Sequence, residues 1–492
     1  MKKALLALLA LHVLRLLLAP GFELAPQEAY YFLYSQHLAP GYFDHPPAVA
    51  WMIAPLAWAL GRTELAPRLA AWTTTLLTGL VFAALARRTL PRARRKSAVL
   101  LLGTTMLASF VGLVATPDVP LLLFWALALL FLHRALFGGG RWDWLVAGLF
   151  MGLAFDAKYT AGLLWAGMAA FLVLSPRHRR WLATPWPYAA LSAALAAAAP
   201  VWAWNARHGF ASLLFQSAHR AGALHDPGLA NLGKLVGTQA YLIGPVLLVA
   251  IGWAAALSVP LSAQRARRNS RETVLFLACF CLPLLALTLG LSVFTLVKPN
   301  WPMPAYLAGT LLAVRLAPWP RGLKAHVALA AALLLATAVE VLLYPVPVRS
   351  DDTWWGWREL AAQVERRAGA AGAAFAFADD EYKTTAELRF YSDLPAYAGN
   401  VLGRRALQFD YLDEDLSALS GKDAIFLDSR PHETDAARAA AIPEDLQARF
   451  AGVEQEEPIV LRRKGEAEGD GPPLRKFLVF RCRGYLGPAR PR

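Results

Sequence analysis

Charged residues are scarce in this sequence. Only 17% of its 492 residues are charged, whereas soluble domains contain about a quarter. Hydrophobic residues make up 57% of the chain, and its mean hydropathy is +0.38. This composition excludes a disordered chain, a fibrous protein and a simple soluble enzyme.

Cysteine is also scarce. Of the three cysteines, Cys279 and Cys281 lie together in an apolar run, and Cys482 stands alone far along the chain. A disulfide framework and a thiolate zinc site both need more cysteines at closer spacing. The sequence therefore argues against both kinds of site.

Acidic residues are rare in the first two thirds of the chain. Residues 1–345 contain 10 acidic and 28 basic residues, whereas residues 346–492 contain 25 acidic and 21 basic residues. The net charge of +14 is therefore a basic excess in the hydrophobic part, reduced by an acidic C-terminal part. We assign the basic excess to membrane loops and expect no nucleic-acid partner.

Apolar runs long enough to cross a membrane are abundant, since a spanning helix needs about 20 mostly apolar residues. The N-terminus has the shape of a signal peptide without a clear cleavage site, which predicts an uncleaved first span. The apolar run at 48–60 is short and predicts a helix along the outer face; the alternative is a twelfth, short span. We predict eleven spans, near 4–20, 66–86, 97–115, 119–137, 142–156, 159–175, 183–204, 233–260, 273–297, 302–317 and 325–345.

The distribution of lysine and arginine predicts the orientation. Basic residues cluster in alternate loops, at 2–3, 87–96, 141, 177–180, 265–271 and 321–324. Cytoplasmic loops carry such an excess, so the N-terminus is predicted to be cytoplasmic and residues after the eleventh span to lie outside. Residues 346–492 have the composition of a soluble domain. Short buried strands are predicted at 373–380, 423–429 and 476–483, and amphipathic helices at 353–370 and 434–450. The predicted fold is mainly α: a polytopic membrane domain at 1–345, followed by a small periplasmic α/β domain at 346–492.

Three carboxylates near the predicted outer face are candidates for chemistry, because charged groups in membrane regions are costly. They are Glu28, Asp44 and Asp118, which come from separate segments at one expected depth. By contrast, Asp143 and Glu272 adjoin basic cytoplasmic residues and are interpreted as solvated flanking charges. Loops that converge at one membrane face can assemble a site.

Cations and amide donors occur at the same predicted level. A phosphate held by a cation, with a carboxylate base beside it, is what displacement of a phosphate leaving group requires. Each residue also has a structural interpretation, as a turn brace, a helix cap or a lysine that extends to the interface. The residues alone therefore do not separate a transferase from a transporter. The candidates are His45, Arg68, Lys158, Tyr159, Lys298 and Asn300.

Five short motifs in fixed order resemble glycosyltransferase family 39, whose members are GT-C membrane enzymes related to protein O-mannosyltransferases and the lipid A aminoarabinose transferase. The motifs are Gln27 to Tyr31, Tyr42 to Pro47, Thr116 to Asp118, Ala157 to Thr160 and Lys298 to Pro302. The resemblance covers the membrane region and extends weakly into the C-terminal domain. There it implies contacts with acceptor or sugar from Lys383, Gln408 and Asp410.

The resemblance implies inverting transfer of a sugar from a polyprenyl-phosphate carrier to an acceptor hydroxyl at the outer face of a bacterial inner membrane. The acceptor is a glycolipid, a polysaccharide or a protein. A first-loop carboxylate acts as base in this family, where the motif is commonly Asp-Glu. Here Gln27 replaces the aspartate, and glutamine cannot act as a base. We rank the possible bases in the order Glu28, Asp44, Asp118, with loss of activity as the alternative.

The same resemblance implies that His45 and Lys158 bind the donor phosphate, together with Arg68. A divalent cation is possible, because some relatives bind a metal near this loop; Asp44 with His45, or His219 and His225, would then supply ligands. Two other functions compete with the transferase. One is a secondary transporter or lipid flippase, which the absence of an internal repeat disfavours. The other is a catalytically silent relative.

Overall fold

The structure is a computed structural model that describes residues 2–219, 227–263, 268–316, 320–346, 352–412, 414–429, 443–462 and 475–488. The chain divides into two compact units. The first, here called the membrane unit, comprises Met1–Ala19, Ala39–Met52 and Arg68–Ala338. The second, here called the C-terminal unit, comprises Pro20–Leu38, Ile53–Pro67 and Val339–Arg492.

Helices account for nearly all regular structure up to residue 343. Their bounds are α1 (Lys2–Leu18), α2 (Pro26–Gln36), α3 (Ala48–Leu60), α4 (Leu65–Thr89), α5 (Arg95–Gly103), α6 (Met106–Phe110), α7 (Asp118–Gly138), α8 (Trp142–Ala157), α9 (Gly162–Leu174), α10 (Trp186–Ala197), α11 (Ala199–Arg207), α12 (Ala211–Leu214), α13 (Leu229–Ile243), α14 (Pro245–Ala263), α15 (Arg268–Cys279), α16 (Leu282–Leu291), α17 (Ala305–Leu316) and α18 (Pro320–Leu343).

Several of these helices are long and apolar enough to cross a membrane. Within the described residues there are five such segments, or seven if each of two bent helix pairs is counted as one span. Shorter apolar helices lie at Ala48–Leu60, Tyr159–Leu174 and Ala305–Leu316. The chain is thus a multi-pass membrane protein, and the count of eleven spans stays a prediction. The five segments are Lys2–Gly21, Leu65–Thr89, Asp118–Gly138, Arg271–Leu291 and Gly322–Leu343.

Several of the predicted spans are not continuous helices. The span predicted at 233–260 consists of α13 and α14, which meet at 112°. Gly244 lies between them with φ of +81°, and Pro245 follows, so a left-handed residue and a proline end the first helix. The span predicted at 97–115 is interrupted after α5, where the Thr105 side chain caps α6 by accepting a hydrogen bond from the Ala108 backbone.

Helix α8 approaches α10 closely through two glycines. A Cβ atom at Gly148 would lie 2.1 Å from the Ala190 carbonyl oxygen, and one at Gly152 would lie 2.4 Å from that of Ala194. Small residues four apart allow backbones to approach in membranes, where tight packing replaces the hydrophobic effect between helices. This contact fixes α8, which carries Lys158 at its C-terminal end.

The interpretation of Glu272 as a solvated flanking charge is wrong. Its side chain is buried, and its Oε2 accepts a hydrogen bond of 2.5 Å from the Ser175 hydroxyl. His178 Nδ1 lies 2.9 Å from the same hydroxyl and 3.4 Å from the carboxylate. Ser175 and His178, which belong to one turn after α9, thus compensate the desolvation of the carboxylate. Asp143 likewise forms an ion pair with Arg134, at 2.9 Å.

The C-terminal unit contains a five-stranded mixed sheet with the order β2-β1-β3-β5-β4. Strands β1, β2 and β3 are parallel, whereas β3, β5 and β4 are antiparallel. A bulge in β4 between Glu456 and Ile459 contains Pro458, which an edge strand tolerates. The elements are β1 (Phe375–Ala378), β2 (Ala396–Tyr397), β3 (Ala424–Ser429), β4 (Phe450–Leu461), β5 (Arg475–Tyr485), α19 (Trp357–Ala371), α20 (Lys383–Tyr391) and α21 (Glu444–Arg449).

Side chains alternate across this sheet as its period of two requires. Phe375 and Phe377 of β1 enter one apolar core, and Ala376 and Ala378 enter the other, which α19 covers through residues such as Trp357. The strands predicted at 373–380, 423–429 and 476–483 are therefore confirmed. The helix predicted at 434–450 is confirmed over Glu444–Arg449, while its first part lies outside the described residues.

Candidate functional site

The membrane unit brings together three of the predicted site residues. Lys158 Nζ lies 2.8 Å from Asp118 Oδ1, and Asn300 Nδ2 donates a hydrogen bond of 2.6 Å to Asp118 Oδ2. The Asp118 side chain is buried, and only 10% of the Lys158 side chain is exposed. We call this set the Asp118 cluster.

Helix ends and a turn place the three side chains. Asp118 is the first residue of α7, where the helix dipole favours a carboxylate. Lys158 directly follows α8, with the extended backbone that ends this helix. Asn300 belongs to the turn before α17, whose Pro299 carbonyl accepts a hydrogen bond of 3.0 Å from Gln239 Nε2. The Tyr306 hydroxyl in turn donates to Gln239 Oε1 at 2.7 Å.

Tyr159 lies in a second polar group of the membrane unit. Its hydroxyl is 2.7 Å from the Ser212 hydroxyl and accepts a hydrogen bond of 3.2 Å from Asn205 Nδ2. Asn205 and Ser212 are both fully buried. The sequence analysis missed these two residues and Gln239. The available signal was a polar residue inside an apolar helix, such as Asn205 directly after Trp204.

The loop that carries Asp44 and His45 packs against α11. A Cβ atom at Gly41 would lie 2.8 Å from Trp204 Cβ, so only glycine allows this close approach. The Asp44 side chain is buried, and its backbone carbonyl accepts a hydrogen bond from Gln216. His45 is half-buried and closes a backbone turn with Tyr42.

The other candidates of the membrane unit have different environments. Arg68 is buried and donates a hydrogen bond to the Ala19 carbonyl at the end of α1. Lys298 is exposed, two residues before Asn300. Asp156, which the sequence analysis did not propose for the site, is completely buried near the end of α8. Within the described residues, neither of its carboxylate oxygens has a hydrogen-bond partner.

Glu28 belongs to the C-terminal unit. It lies in the first turn of α2, where Oε2 accepts a hydrogen bond of 3.2 Å from the Ala25 backbone N–H and caps the helix. Its side chain is buried. Tyr30, which is two residues after Glu28, stacks on Tyr382 with 4.5 Å between the ring centroids. The side chain of Glu28, the predicted first-loop base, is thus positioned by a hydrogen bond at the N-terminus of its own helix.

The three weaker candidates also lie in the C-terminal unit, each with a partner there. The Gln408 backbone N–H donates a hydrogen bond of 3.1 Å to the Tyr30 hydroxyl. Asp410 Oδ2 accepts one of 2.9 Å from the Ala406 backbone, and burial raises the pKa of this carboxyl. Lys383 forms an ion pair of 3.5 Å with Asp352. Their predicted contact with acceptor or sugar stays a prediction.

No cluster of three or more histidine, cysteine, aspartate or glutamate side chains that could hold a metal ion occurs among the described residues. Asp44 and His45 would supply at most two ligands. The alternative ligands His219 and His225 lie outside the residues whose side chains are described. Among the described side chains, the donor set is therefore too small for a metal centre.

The chain is similar to membrane glycosyltransferases in sequence and in fold. Residues 44–204 match the family model described as dolichyl-phosphate-mannose-protein mannosyltransferase. The lipid A galacturonosyltransferase RgtD of Rhizobium johnstonii is 29% identical over 333 residues, which cover 65% of each chain. The alignment thus spans slightly less than two thirds of the length of this curated relative.

Two solved structures are similar along nearly the whole chain. ArnT from Cupriavidus metallidurans bound to undecaprenyl phosphate has a TM-score of 0.60 at 15% identity, with 97% of each chain covered. The same protein in its apo state has a TM-score of 0.62 at 13% identity, with 98% of each chain covered. The chain therefore has an ArnT-like fold, and the family match over residues 44–204 bears out the resemblance to glycosyltransferase family 39.

Proposed function

We propose that this chain is an inverting membrane glycosyltransferase that moves a sugar from a polyprenyl-phosphate carrier to an acceptor hydroxyl, at the outer face of a bacterial inner membrane. The Asp118 cluster carries this proposal, because it holds a buried cation and an amide donor at the ends of separate segments. The family match over residues 44–204, which includes Asp118 and Lys158, supports it.

The cluster retains donors for a phosphate. A lysine ammonium has three N–H groups and an asparagine amide has two. Asp118 accepts one from Lys158 and one from Asn300, which leaves further N–H groups on both side chains for phosphate oxygens. The carboxylate therefore orients the two donors. Charge-assisted hydrogen bonds at a buried site are strong enough to stabilise the charge that develops on a leaving phosphate.

The reaction follows from this placement of donors. A carboxylate base removes the acceptor hydroxyl proton, and the acceptor oxygen forms a bond to the anomeric carbon from the face opposite the phosphate. The bond between the anomeric carbon and the phosphate oxygen breaks, and the polyprenyl phosphate leaves with the electron pair. The Lys158 ammonium offsets the additional negative charge on the phosphate, and the Asn300 amide donates a hydrogen bond to it. Inversion at the anomeric carbon follows from the single displacement.

Glu28 and Asp44 are the proposed bases. Both Asp118 oxygens already accept hydrogen bonds within the Asp118 cluster, which suits Asp118 to positioning more than to proton transfer. Glu28 Oε2 caps α2, and Asp44 is a buried carboxylate in the loop that packs against α11. For the acceptor we propose lipid A, because the curated relative is named for transfer to lipid A.

Transfer assays with purified protein test the proposal. Radiolabelled undecaprenyl-phosphate sugars, with galacturonic acid and mannose as separate donors, are incubated with a lipid A-containing membrane extract. Lys158→Met is expected to lower kcat/KM about a hundredfold or more, because it removes a donor to the leaving phosphate. Loss of the true base, by Glu28→Gln or Asp44→Asn, is expected to lower kcat by about 10²–10⁴.

Lys234→Met is the matched control, since Lys234 is an exposed lysine of the same unit. The double variant Asp118→Asn with Lys158→Met separates folding from catalysis, because it removes both buried charges together. Transfer by Lys158→Met at the wild-type rate would contradict the assignment of the site. Lipid movement across vesicle membranes without any sugar transfer would favour the flippase alternative.

A further inference from the structure

The turn at 298–304, which precedes α17 and carries Asn300, contains three prolines, at positions 299, 302 and 304. Proline has no backbone N–H, so such a turn can form few hydrogen bonds of its own. Within it, the Trp301 N–H donates to the Lys298 carbonyl at 3.1 Å, and the Met303 N–H donates to the Asn300 carbonyl at 3.4 Å. A turn of this composition depends on other elements to hold its shape.

Gln239 of α13 supplies such a contact. Its Nε2 donates a hydrogen bond of 3.0 Å to the Pro299 carbonyl, which belongs to the peptide group that joins Pro299 to Asn300. Gln239 is 3% exposed, so water does not compete for this bond. The bond therefore restrains the backbone from which the Asn300 side chain extends.

Tyr306 of α17 orients the Gln239 amide. Its hydroxyl donates a hydrogen bond of 2.7 Å to Gln239 Oε1, and its side chain is buried. A reversed amide would place an oxygen against the Pro299 carbonyl oxygen and an N–H against the hydroxyl hydrogen. Glutamine suits this position because its side chain ends in one acceptor and one donor group.

The bend between α13 and α14 brings Gln239 to the turn. Helix α14 packs along α17, where a Cβ atom at Gly309 would lie 3.2 Å from Ile251 Cγ2. Helix α13 leaves this direction at Gly244, at an angle of 112° to α14. Gln239 lies five residues before Gly244 and reaches the backbone just before the start of α17. The break thus places a polar side chain of α13 against the turn.

We propose that Gln239 is a positioning residue of the transferase, which holds Asn300 in place through the Pro299 peptide group. The inference rests on the proposed function and adds a residue that does not itself contact the reacting atoms. Asn300 Nδ2 donates a hydrogen bond of 2.6 Å to Asp118 Oδ2, so a shift of the turn changes the geometry of the Asp118 cluster. A displacement of about 1 Å in a catalytic site can lower a rate about a hundredfold.

Gln239→Met tests the assignment, because methionine has a similar length but forms neither hydrogen bond. We expect kcat to fall about ten- to a hundredfold while KM changes less than about twofold, since donors to a leaving phosphate matter most in the transition state. Tyr306→Phe removes only the bond between Tyr306 and Gln239 and should lower kcat less. Thr238→Val is the matched control, because the Thr238 hydroxyl donates to the Lys234 carbonyl within α13.

A double-mutant cycle separates positioning from a general loss of structure. If Gln239 acts through Asn300, Gln239→Met lowers kcat no further once Asn300→Ala is present. A merely structural defect would lower kcat by the same factor in both backgrounds. Equal factors in the two backgrounds would therefore overturn the proposal.

Hydrogen exchange gives a second measurement that does not depend on sugar transfer. Mass spectrometry of the full-length protein in detergent follows the peptide that contains the turn at 298–304. Gln239→Met is expected to speed the exchange of the Trp301 and Met303 amides, whereas Thr238→Val leaves it unchanged.

The two measurements distinguish the positioning role from the reaction. Unchanged exchange of the turn in Gln239→Met would overturn the role of Gln239 while the transferase stands. If Gln239→Met loosens the turn but the wild-type protein transfers no sugar from any donor, the proposed function fails and the restraint of the turn by Gln239 stands.

Discussion

Glu387 is a glutamate buried in the C-terminal unit, where desolvation disfavours its ionised form. The Glu387 side chain is 1% exposed, and within the described residues neither carboxylate oxygen has a hydrogen-bond partner. Burial raises the pKa of Glu387 well above its usual value, and the nearby carboxylates Glu23, Glu28 and Glu64 raise it further, against a smaller opposite effect of Arg475. The folded protein therefore holds the Glu387 proton more tightly than the unfolded chain does.

This predicts how the stability of the protein depends on pH. Above the ordinary glutamate pKa of about 4.5, the unfolded chain ionises Glu387 while the folded protein retains the proton. The folded state then binds more protons, so the contribution of Glu387 to stability falls as pH rises toward the folded pKa. Glu387→Gln is expected to remove this dependence and to raise Tm at pH 8 more than at pH 5.

Thermal unfolding of the full-length protein in detergent measures this effect across that pH range. Glu359→Gln is the control, because Glu359 is exposed on the surface of α19. Equal slopes of Tm against pH for wild type and Glu387→Gln would contradict the assignment of the proton to Glu387.

Residues of the site could be predicted from the sequence when they carry a charge, because charged residues are rare in the membrane region. Asp118 and Lys158 were identified because charges seldom occur in turns between apolar helices, and the structure places them 2.8 Å apart. Asn205 and Ser212 were missed because neutral polar residues are common in membrane helices, and only the folded chain shows that both contact the Tyr159 hydroxyl. The burial of Glu272 was unpredictable for the same reason, since Ser175 is 97 residues away in the chain.

At the scale of helices, the closeness of α8 to α10 leads to a prediction about packing. Gly148→Ala would place a Cβ atom 2.1 Å from the Ala190 carbonyl oxygen, and backbone must move to relieve this clash. Overpacking of this kind costs about 1–3 kcal/mol. We expect a lower Tm in detergent and, because α8 positions Lys158, a lower transfer rate.

Gly237→Ala in α13 is the control for this substitution, because a Cβ atom at Gly237 meets no atom within 4 Å. An unchanged Tm for Gly148→Ala would show that α8 and α10 are not in the close contact described here.

The positions of helices could be predicted where charged residues bound an apolar run. They were harder to predict where an apolar run continues through a break between two helices. The predicted spans at 4–20, 66–86 and 119–137 correspond to α1, α4 and α7 within a few residues. The break between α13 and α14 was missed because the run at 233–260 stays apolar through Gly244 and Pro245. Hydropathy measures how strongly a segment prefers lipid to water, whereas a bend depends on the φ and ψ angles of the residues at the break.

For the whole molecule, the distribution of charge predicts which ends lie on which side of the membrane. An odd number of spans, eleven by the sequence prediction, places the N-terminus and the C-terminal unit on opposite sides, whereas a twelfth span at 48–60 would place both in the cytoplasm. Asp393, whose side chain is 90% exposed, and Arg92, which is exposed in the loop after α4, are suitable reporters. The three native cysteines are buried and should give little background labelling.

We expect a membrane-impermeant maleimide to label Asp393→Cys in spheroplasts and to label Arg92→Cys only after permeabilisation. The reason is that six basic residues between 87 and 96 anchor that loop in the cytoplasm, where translocation would carry them across the bilayer. Labelling of both positions before permeabilisation would contradict the assignment of the basic clusters. Protection of Asp393→Cys would indicate an even number of spans and a cytoplasmic C-terminal unit, which is incompatible with chemistry at the outer face involving Glu28.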